Sequence, residues 1–175
     1  EGRYNYRRAD IIIVTKCPPD FTSVQRAKMV QEIDPFPRQH VFFSRYRYGT
    51  PYDLLRPDLI RTLDLDTDVL LVSAIANTDY LLKYLGASVK SAQTLEFEDH
   101  HFFKEDELRD MMRRFERMPG RNKIILTTEK DAMRLELHQD FFWKNELPVF
   151  VLPVEVEFCD EDEPGFQEEV KRVLL

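Results

Sequence analysis

Asp99 and His100 are adjacent residues whose side chains could act together on a proton. A carboxylate beside an imidazole can fix the tautomer of the ring and favour its charged form, which suits general acid and base chemistry near neutral pH. His101 follows directly, so the register of the functional histidine stays open. A plainer alternative also stays open, in which Asp99 caps the next helix and both histidines line a solvated turn.

A second candidate segment is Thr128-Glu129-Lys130-Asp131. Thr128 followed three residues later by Asp131 resembles a capping box, which satisfies the free amides at the start of a helix. Alternatively, Lys130 and the helix N-terminus attract an anion such as a phosphate, while Glu129 and Asp131 tune or position it. The sequence is compatible with both roles.

The elements around these segments predict where they lie. Val89–Phe97 has the pattern of a strand, and Lys104–Arg117 has apolar residues at the spacing of a helix packed on one side. Asp99 and His100 therefore fall in a strand-to-helix turn. Such turns lie at the carboxyl ends of strands, where ligands bind in open α/β sheets. Likewise, Thr128 ends the apolar strand at 123–128 and begins a helix that is predicted to reach about Leu137.

The rest of the chain alternates between strands and helices. Asp10–Lys16 is a β-branched run that predicts a central strand buried on both faces, and Val69–Ala76 predicts another. His40–Tyr48 alternates arginines with aromatic residues and predicts an edge strand. Further elements are predicted at Phe21–Ile33 (helix), after Thr78 (helix), at Val149–Val154 (the last strand) and from Pro164 (helix). This alternation predicts an α/β fold with a mainly parallel sheet and helices on both faces.

Length and composition restrict the class of protein. The 175 residues suit a single α/β domain spanning residues 1–175. A net charge of −7 does not suit a nucleic-acid-binding protein, and no apolar run is long enough to cross a bilayer. Cys17 and Cys159 are far apart and form no C-x-x-C, so neither a disulfide framework nor a zinc site is predicted, and a reducing compartment fits best.

Several phosphate-binding and metal-binding motifs are missing from the sequence. No glycine belongs to a G-x-x-x-x-G-K-[ST] loop or a G-x-G-x-x-G fingerprint, so the usual backbone cradle for phosphates is lacking. There is no G-x-S-x-G elbow for a nucleophilic serine. The segment Asp64–Asp68 resembles the start of a calcium loop, but Val69 and Ile75 stand where glycine and glutamate are needed. The sequence therefore predicts no metal site.

Motifs in four segments, taken together, indicate a family. The segments Arg8–Pro18, Leu71–Asn77, Phe97–His101 and Ile125–Ala132 occur in the order and approximate spacing of the tetraacyldisaccharide 4'-kinases. The chain resembles the C-terminal half of that family in its Bacteroidetes-like version. The resemblance implies part of a P-loop kinase that transfers the ATP γ-phosphate to the 4'-hydroxyl of a tetraacyldisaccharide 1-phosphate in lipid A biosynthesis.

The resemblance also implies cofactors and partners. ATP and Mg²⁺ would serve the full-length enzyme, but neither is expected to bind tightly to this chain, because the Walker A loop and the catalytic aspartate belong to the N-terminal half. The expected partners are that P-loop half of the same polypeptide, the lipid A disaccharide precursor and, through the missing half, the membrane surface. The full enzyme would lie at the cytoplasmic face of the bacterial inner membrane. This chain alone would be soluble and inactive.

Site roles follow from the same resemblance. The Asp-His pair of the family falls on Asp99 and His100, and the resemblance implies that the histidine acts alongside the missing aspartate in activating the sugar hydroxyl. Thr128–Asp131 would support the cleft between the two halves. Two other functions remain open from the residues alone. One is a free-standing α/β binding or regulatory module, and the other is a small hydrolase that uses Asp99 and His100.

Overall fold

The chain folds into two compact units. A computed structural model describes residues 3–75, 77–160 and 162–174, without the side chains of residues 3–5 and 173. The first unit contains Glu1–Arg47 and Glu155–Leu175, and the second contains Tyr48–Val154. Both candidate segments lie in the second unit. That residues 1–175 act as a single domain stays a prediction.

Strands and helices alternate along most of the chain. The strands are β1 (Ile11–Val14), β2 (His40–Tyr48), β3 (Tyr52–Asp53), β4 (Asp68–Ser73), β5 (Ser91–Glu96), β6 (Lys123–Thr128), β7 (Val149–Leu152) and β8 (Val154–Phe158). The α-helices are α1 (Ser23–Ile33), α2 (Asp79–Ser88), α3 (Glu105–Arg117), α4 (Glu129–Leu135), α5 (Gln139–Lys144) and α6 (Asp162–Leu174). Short 3₁₀ helices occupy Arg3–Arg8 and Glu136–His138.

A five-stranded sheet forms the centre of the second unit. Its strand order is β3-β7-β6-β4-β5, and only β3 runs antiparallel to its neighbour. Every residue of β4 is buried, as expected for an apolar run in the middle of a parallel sheet. Leu70 and Val72 pack with α3 on one face, whereas Val69 and Leu71 pack with α2 on the other. The predicted α/β class, with helices on both faces of a mainly parallel sheet, is confirmed.

The first unit contradicts two predictions about strand position. Its three-stranded sheet has the order β1-β2-β8, so β1 is an edge strand and was wrongly predicted to be central. The predicted edge strand, β2, instead lies in the middle. The physical reason is β8, which pairs with β2; it was not predicted, because the last strand was placed at Val149–Val154, whereas β7 ends at Leu152 and β8 follows it. Two arginines of β2 form ion pairs with glutamates of β8. Arg45 pairs with Glu157 at 2.7 Å, and Arg47 pairs with Glu155.

Element ends differ slightly from the predictions. The helix expected to reach Leu137 ends at Leu135 and continues as the 3₁₀ helix, and the terminal helix begins at Asp162. The predicted strand at Val69–Ala76 ends at Ser73, while Ala76 lies outside the described residues. Among the residues with a described structure, no helix is long and apolar enough to span a bilayer.

Candidate functional site

The candidate site lies at one edge of the five-stranded sheet, where its parallel strands end. β5 ends at Glu96 and β6 at Thr128, and the two strands flank β4, which ends at Ser73. Asp99 and His100 follow β5, while Thr128–Asp131 joins β6 to α4. Because the carboxyl ends of neighbouring parallel strands share one edge, segments that are distant in sequence meet across the end of β4.

An ion pair joins the two candidate segments. Lys130 Nζ lies 2.5 Å from Asp99 Oδ1, and both side chains are partly exposed. The hydrogen bond from Lys130 is the main reason that the pKa of Asp99 is below its ordinary value, and the nearby His100 lowers it further. Asp99 is therefore a carboxylate at neutral pH. It can hold a cation or orient an imidazole, but it is a poor proton donor.

His100 occupies a left-handed backbone conformation. Its φ of 64° is in the left-handed region, which few residues other than glycine adopt. The carboxylate of Asp99 accepts the His100 amide proton over 3.0 Å, which helps to hold the turn. The imidazole is 72% exposed, so it is not kept there by packing. Lys16, Asp34, Glu146 and Asp160 also have positive φ, so this conformation does not by itself mark His100 as a functional residue.

The two ring nitrogens of His100 have different neighbours. Nε2 is 3.5 Å from Asp99 Oδ2, and Nδ1 is 3.2 Å from Arg134 Nη2. A guanidinium only donates hydrogen bonds, so Nδ1 must accept, and the proton of the neutral ring is assigned to Nε2, facing Asp99. Nδ1 is then the basic nitrogen. It can take a proton from a substrate only when Arg134 releases it.

Asp131 attaches α4 to the end of β4. Its carboxylate is fully buried and accepts hydrogen bonds from the Ala74 amide at 3.0 Å and the Thr128 hydroxyl at 2.8 Å. Thr128 Oγ1 in turn accepts from the Asp131 amide, so Thr128 is the predicted N-cap. The reciprocal half of the predicted capping box is absent from these contacts, because the Asp131 carboxylate turns inward to Ala74. The segment fixes where Lys130 projects.

Arg134 is a member of the cluster that the sequence analysis missed. Its Nη1 lies 3.1 Å from Asp131 Oδ1, and its Nη2 reaches His100. It therefore links the buried anchor of α4 to the exposed imidazole. Helix periodicity could have identified Arg134 from the sequence. Residues three and four positions apart share a helix face, and Arg134 lies three residues after Asp131 and four after Lys130.

His101 and Glu129 make contacts outside this cluster. His101 Nε2 is 2.8 Å from Glu107, and its ring stacks on Phe97 with centroids 4.7 Å apart. Burial alone would raise the pKa of Glu107, but the hydrogen bonds from His101 and the Lys104 amide lower it. Glu129 accepts the Val154 amide proton at 3.0 Å. Thus Asp99, His100, Thr128, Lys130 and Asp131 come together, whereas His101 and Glu129 make separate contacts.

The cluster lacks the composition of a metal centre. Within residues 3–75, 77–160 and 162–174, no group of three or more His, Cys, Asp or Glu side chains is placed to hold a metal ion. Asp99 and Asp131 each bind a cationic side chain instead. The arrangement can orient an imidazole and accept a proton, and its two cations, Lys130 and Arg134, lie beside the ring.

Comparisons with known proteins identify relatives over the whole chain. The family model described as tetraacyldisaccharide-1-P 4'-kinase, LpxK, matches residues 1–175. A tetraacyldisaccharide 4'-kinase from Bacteroides fragilis is 31% identical over 97% of this chain and 47% of its own length. The enzyme of that name from Parabacteroides distasonis is 33% identical over 93% of this chain and 45% of its own.

A solved structure agrees at the level of the fold. The crystal structure of LpxK from Aquifex aeolicus in complex with ATP matches with a TM-score of 0.53 and 19% identity, over 100% of this chain and 46% of that one. The chain thus spans about half the length of the relatives it matches. With the family model matched from end to end, the chain belongs to the tetraacyldisaccharide-1-P 4'-kinase family.

Proposed function

We propose that this chain is the acceptor-activating part of a tetraacyldisaccharide 4'-kinase. Together with a nucleotide-binding half, it would transfer the γ-phosphoryl group of ATP to the 4'-hydroxyl of a tetraacyldisaccharide 1-phosphate. The observation that carries the proposal is the Lys130–Asp99 ion pair, which joins two motifs of the family at the carboxyl ends of parallel strands. The enzymatic name of the relatives, about twice as long as this chain, supports it.

In the proposed reaction, His100 receives the proton of the sugar hydroxyl. The hydroxyl oxygen bonds to the γ-phosphorus, the bond from that phosphorus to the bridging oxygen breaks, and ADP leaves. Asp99 supports the resulting imidazolium, because its carboxylate lies 3.5 Å from Nε2. Arg134 must leave Nδ1 before the proton arrives. A phosphate of either substrate is a suitable new partner for it, since guanidinium binds phosphate well.

The residues of this chain do not by themselves fit a magnesium–ATP site. The sequence has no phosphate-cradling glycine loop, and the described part has no cluster of metal-ligating side chains. We propose that Mg²⁺ and ATP are held by the nucleotide-binding half. On this view Lys130, Arg134 and Asp131 shape the acceptor side of the cleft, and the acyl chains and the membrane lie beyond it, with the enzyme at the cytoplasmic face of the inner membrane.

The test compares the 175-residue chain, the P-loop half and the intact enzyme in one assay of phosphate transfer from ATP to tetraacyldisaccharide 1-phosphate. Only the intact enzyme, or both halves mixed, should transfer phosphate. The chain alone should show no tight binding of magnesium-ATP by calorimetry, because the residues that cradle phosphates in this class are absent. Tight stoichiometric binding by the chain, or an intact enzyme that phosphorylates no disaccharide lipid, would contradict the proposal.

A further inference from the structure

Arg134 contacts one charged group and one neutral group. Its Nη1 lies 3.1 Å from Asp131 Oδ1, and this carboxylate is fully buried. Its Nη2 lies 3.2 Å from Nδ1 of His100, whose side chain is 72% exposed. The first contact joins opposite charges away from water, whereas the second has a neutral acceptor in contact with water. The contact with His100 is therefore the easier one to exchange for another partner.

The contact with His100 covers the nitrogen that the proposed reaction needs. While Nδ1 accepts a hydrogen bond from Arg134, its lone pair cannot take the proton of a hydroxyl group. Because Asp131 holds Nη1, the guanidinium can turn about that bond and carry Nη2 away from the ring. Phe102 lies alongside, with its ring centroid 5.9 Å from Arg134 Cζ, and offers an aromatic surface to the turning cation.

The proposed reaction brings a phosphoryl group close to the same nitrogen. The sugar hydroxyl gives its proton to Nδ1 while its oxygen attacks the γ-phosphorus. Protons are transferred over about 2.6 to 3.2 Å, and reacting atoms start about 3 to 3.5 Å apart, so the phosphorus lies within about 7 Å of Nδ1. The acceptor's own phosphate is more distant, because positions 1 and 4' belong to different sugar rings. The anion nearest to Arg134 is then the γ-phosphoryl group.

We propose that Arg134 covers Nδ1 of His100 until the γ-phosphoryl group of ATP arrives, and then binds that group during transfer. This inference rests on the proposed function, which supplies the phosphoryl group. A guanidinium stabilises the charge that the phosphoryl oxygens carry in the transition state. In the same step the hydroxyl proton moves to Nδ1, the new oxygen–phosphorus bond forms, and ADP leaves with the electron pair of the broken bond. The base is thus uncovered only when ATP is in place.

Lys130, the other cation of the cluster, fits this role less well. Its Nζ lies 2.5 Å from the charged carboxylate of Asp99, so a move to the phosphoryl group would break an ion pair. Arg134 would keep its bond to Asp131 and give up only a neutral acceptor. Its planar fork of N–H groups also matches the oxygens of a phosphate better than an ammonium group does.

Nitrogen NMR of the His100 ring tests the movement of Arg134. The intact enzyme carries ¹⁵N-labelled histidine and is studied at about pH 8, where an ordinary imidazole is neutral. The Nδ1 signal, assigned by its loss in His100→Asn, should shift when Mg²⁺ is added with an ATP analogue whose β,γ-bridging oxygen is replaced by methylene. Tetraacyldisaccharide 1-phosphate alone should leave the signal in place. No shift with the analogue, or the same shift with the lipid alone, would overturn the proposal.

Arg134→Met separates the movement from other effects of the nucleotide. Methionine donates no hydrogen bond, so the Nδ1 signal of this variant should already lie at the shifted position and should not move further with the analogue. A full response of the variant to the analogue would overturn the proposal. Because the substitution also removes a partner of buried Asp131, the midpoint of urea unfolding is measured on the same samples. If the variant does not fold, the response of the unsubstituted enzyme still decides.

Turnover tests the binding of the phosphoryl group. Arg134→Met should lower kcat by about 100- to 1,000-fold with little change in KM for the lipid, because the lost interaction belongs to the transition state. Arg134→Lys should recover part of kcat, since an ammonium group also binds phosphate. Arg114→Met is the control, because Arg114 pairs with Asp110 on the exposed surface of α3. It should leave kcat unchanged.

The same samples distinguish this inference from the proposed function. If His100→Asn loses turnover while folded Arg134→Met keeps it, the role of Arg134 is overturned and the proposed function stands. If the intact enzyme transfers no phosphate to the lipid, the proposed function fails. The shift of the Nδ1 signal with the analogue then still decides whether Arg134 leaves His100, because that measurement needs no transfer.

Discussion

The buried carboxylate of Asp131 accepts the backbone N–H of Ala74 at 3.0 Å, which joins the first turn of α4 to the residue that follows β4. The same carboxylate accepts from Thr128 and pairs with Arg134. One side chain thus holds the capping residue, the neighbouring strand end and the arginine that reaches His100. We expect the geometry of the site to depend on it.

Asp131→Ala should lower the free energy of unfolding by about 3 to 5 kcal/mol, because it leaves a largely buried guanidinium and two further donors without their acceptor. Asp131→Asn should lower the free energy of unfolding by less, since the amide oxygen can still accept hydrogen bonds. Urea denaturation measures both. Asp110→Ala is the control, because Asp110 pairs with Arg113 and Arg114 on the exposed surface of α3, where such pairs contribute about 1 kcal/mol or less. Equal losses for Asp131→Ala and Asp110→Ala would show that Asp131 is no anchor.

Thr128→Ala should lower the free energy of unfolding by about 0.5 to 2 kcal/mol, the usual effect of losing an N-cap. Thr22→Ala is a matched comparison, since Thr22 caps α1 through the Gln25 amide at 3.3 Å. Chemical unfolding of the two variants gives the comparison. A silent Thr128→Ala would contradict the capping role. A large loss of phosphate transfer by the intact enzyme at unchanged stability would instead place Thr128 in the reaction.

Replacing Lys130 with methionine should raise the pKa of Asp99 toward the ordinary value of about 3.9, because the hydrogen bond that favours the carboxylate is lost. A depressed native pKa stabilises the fold above the unfolded pKa, and that contribution disappears as the pH falls through the native pKa. The intact ion pair therefore stabilises the folded state near neutral pH, and this stabilisation is lost below about pH 4. Carbon NMR of the Asp99 carboxyl during a pH titration measures the shift. An identical titration in both proteins would show that Lys130 does not lower the pKa of Asp99 in solution.

The sequence predicted the second unit better than the first. Buried runs such as β4 and β6 have a strong apolar signal, and their order placed both candidate segments at strand ends. The positions of β1 and β2 could not be obtained in the same way, because a β-branched run indicates a strand but does not specify its place in the sheet. The strand β8 was missed because only Pro153 separates it from β7, and because its glutamates, Glu155 and Glu157, interrupt the apolar pattern that marks β7.

Within the candidate site, the sequence indicated which residues to consider but not which contacts their side chains make. The Asp99–Lys130 contact depends on the neighbouring positions of β5, β4 and β6, which no local pattern specifies. Asp131 and Glu129 have similar chemistry and lie two residues apart, yet only the Asp131 carboxylate contacts the cluster. His100 and His101 could not be distinguished either. The left-handed backbone at His100 turns the two rings to different surroundings, and this requires coordinates.

His100 and His101 should respond in opposite ways to substitution. His100 is exposed and lies beside Asp99 and Arg134, whereas the ring of His101 is packed on Phe97 and bonded to Glu107. Removing a general base commonly reduces kcat by about a hundredfold to ten-thousandfold. We therefore expect His100→Asn in the intact enzyme to lower kcat within that range, and His101→Asn to leave kcat nearly unchanged.

Asparagine is the suitable replacement at residue 100 because it tolerates the left-handed region, so the φ of 64° can be kept without the imidazole. His100→Asn should then leave the midpoint of urea unfolding unchanged. His101→Asn should lower it, since a stacked ring and a hydrogen bond to Glu107 are lost. If His101→Asn abolishes turnover while His100→Asn does not, the catalytic histidine is one residue later than proposed. If both variants keep full turnover, Asp99 and His100 form only a solvated turn before α3.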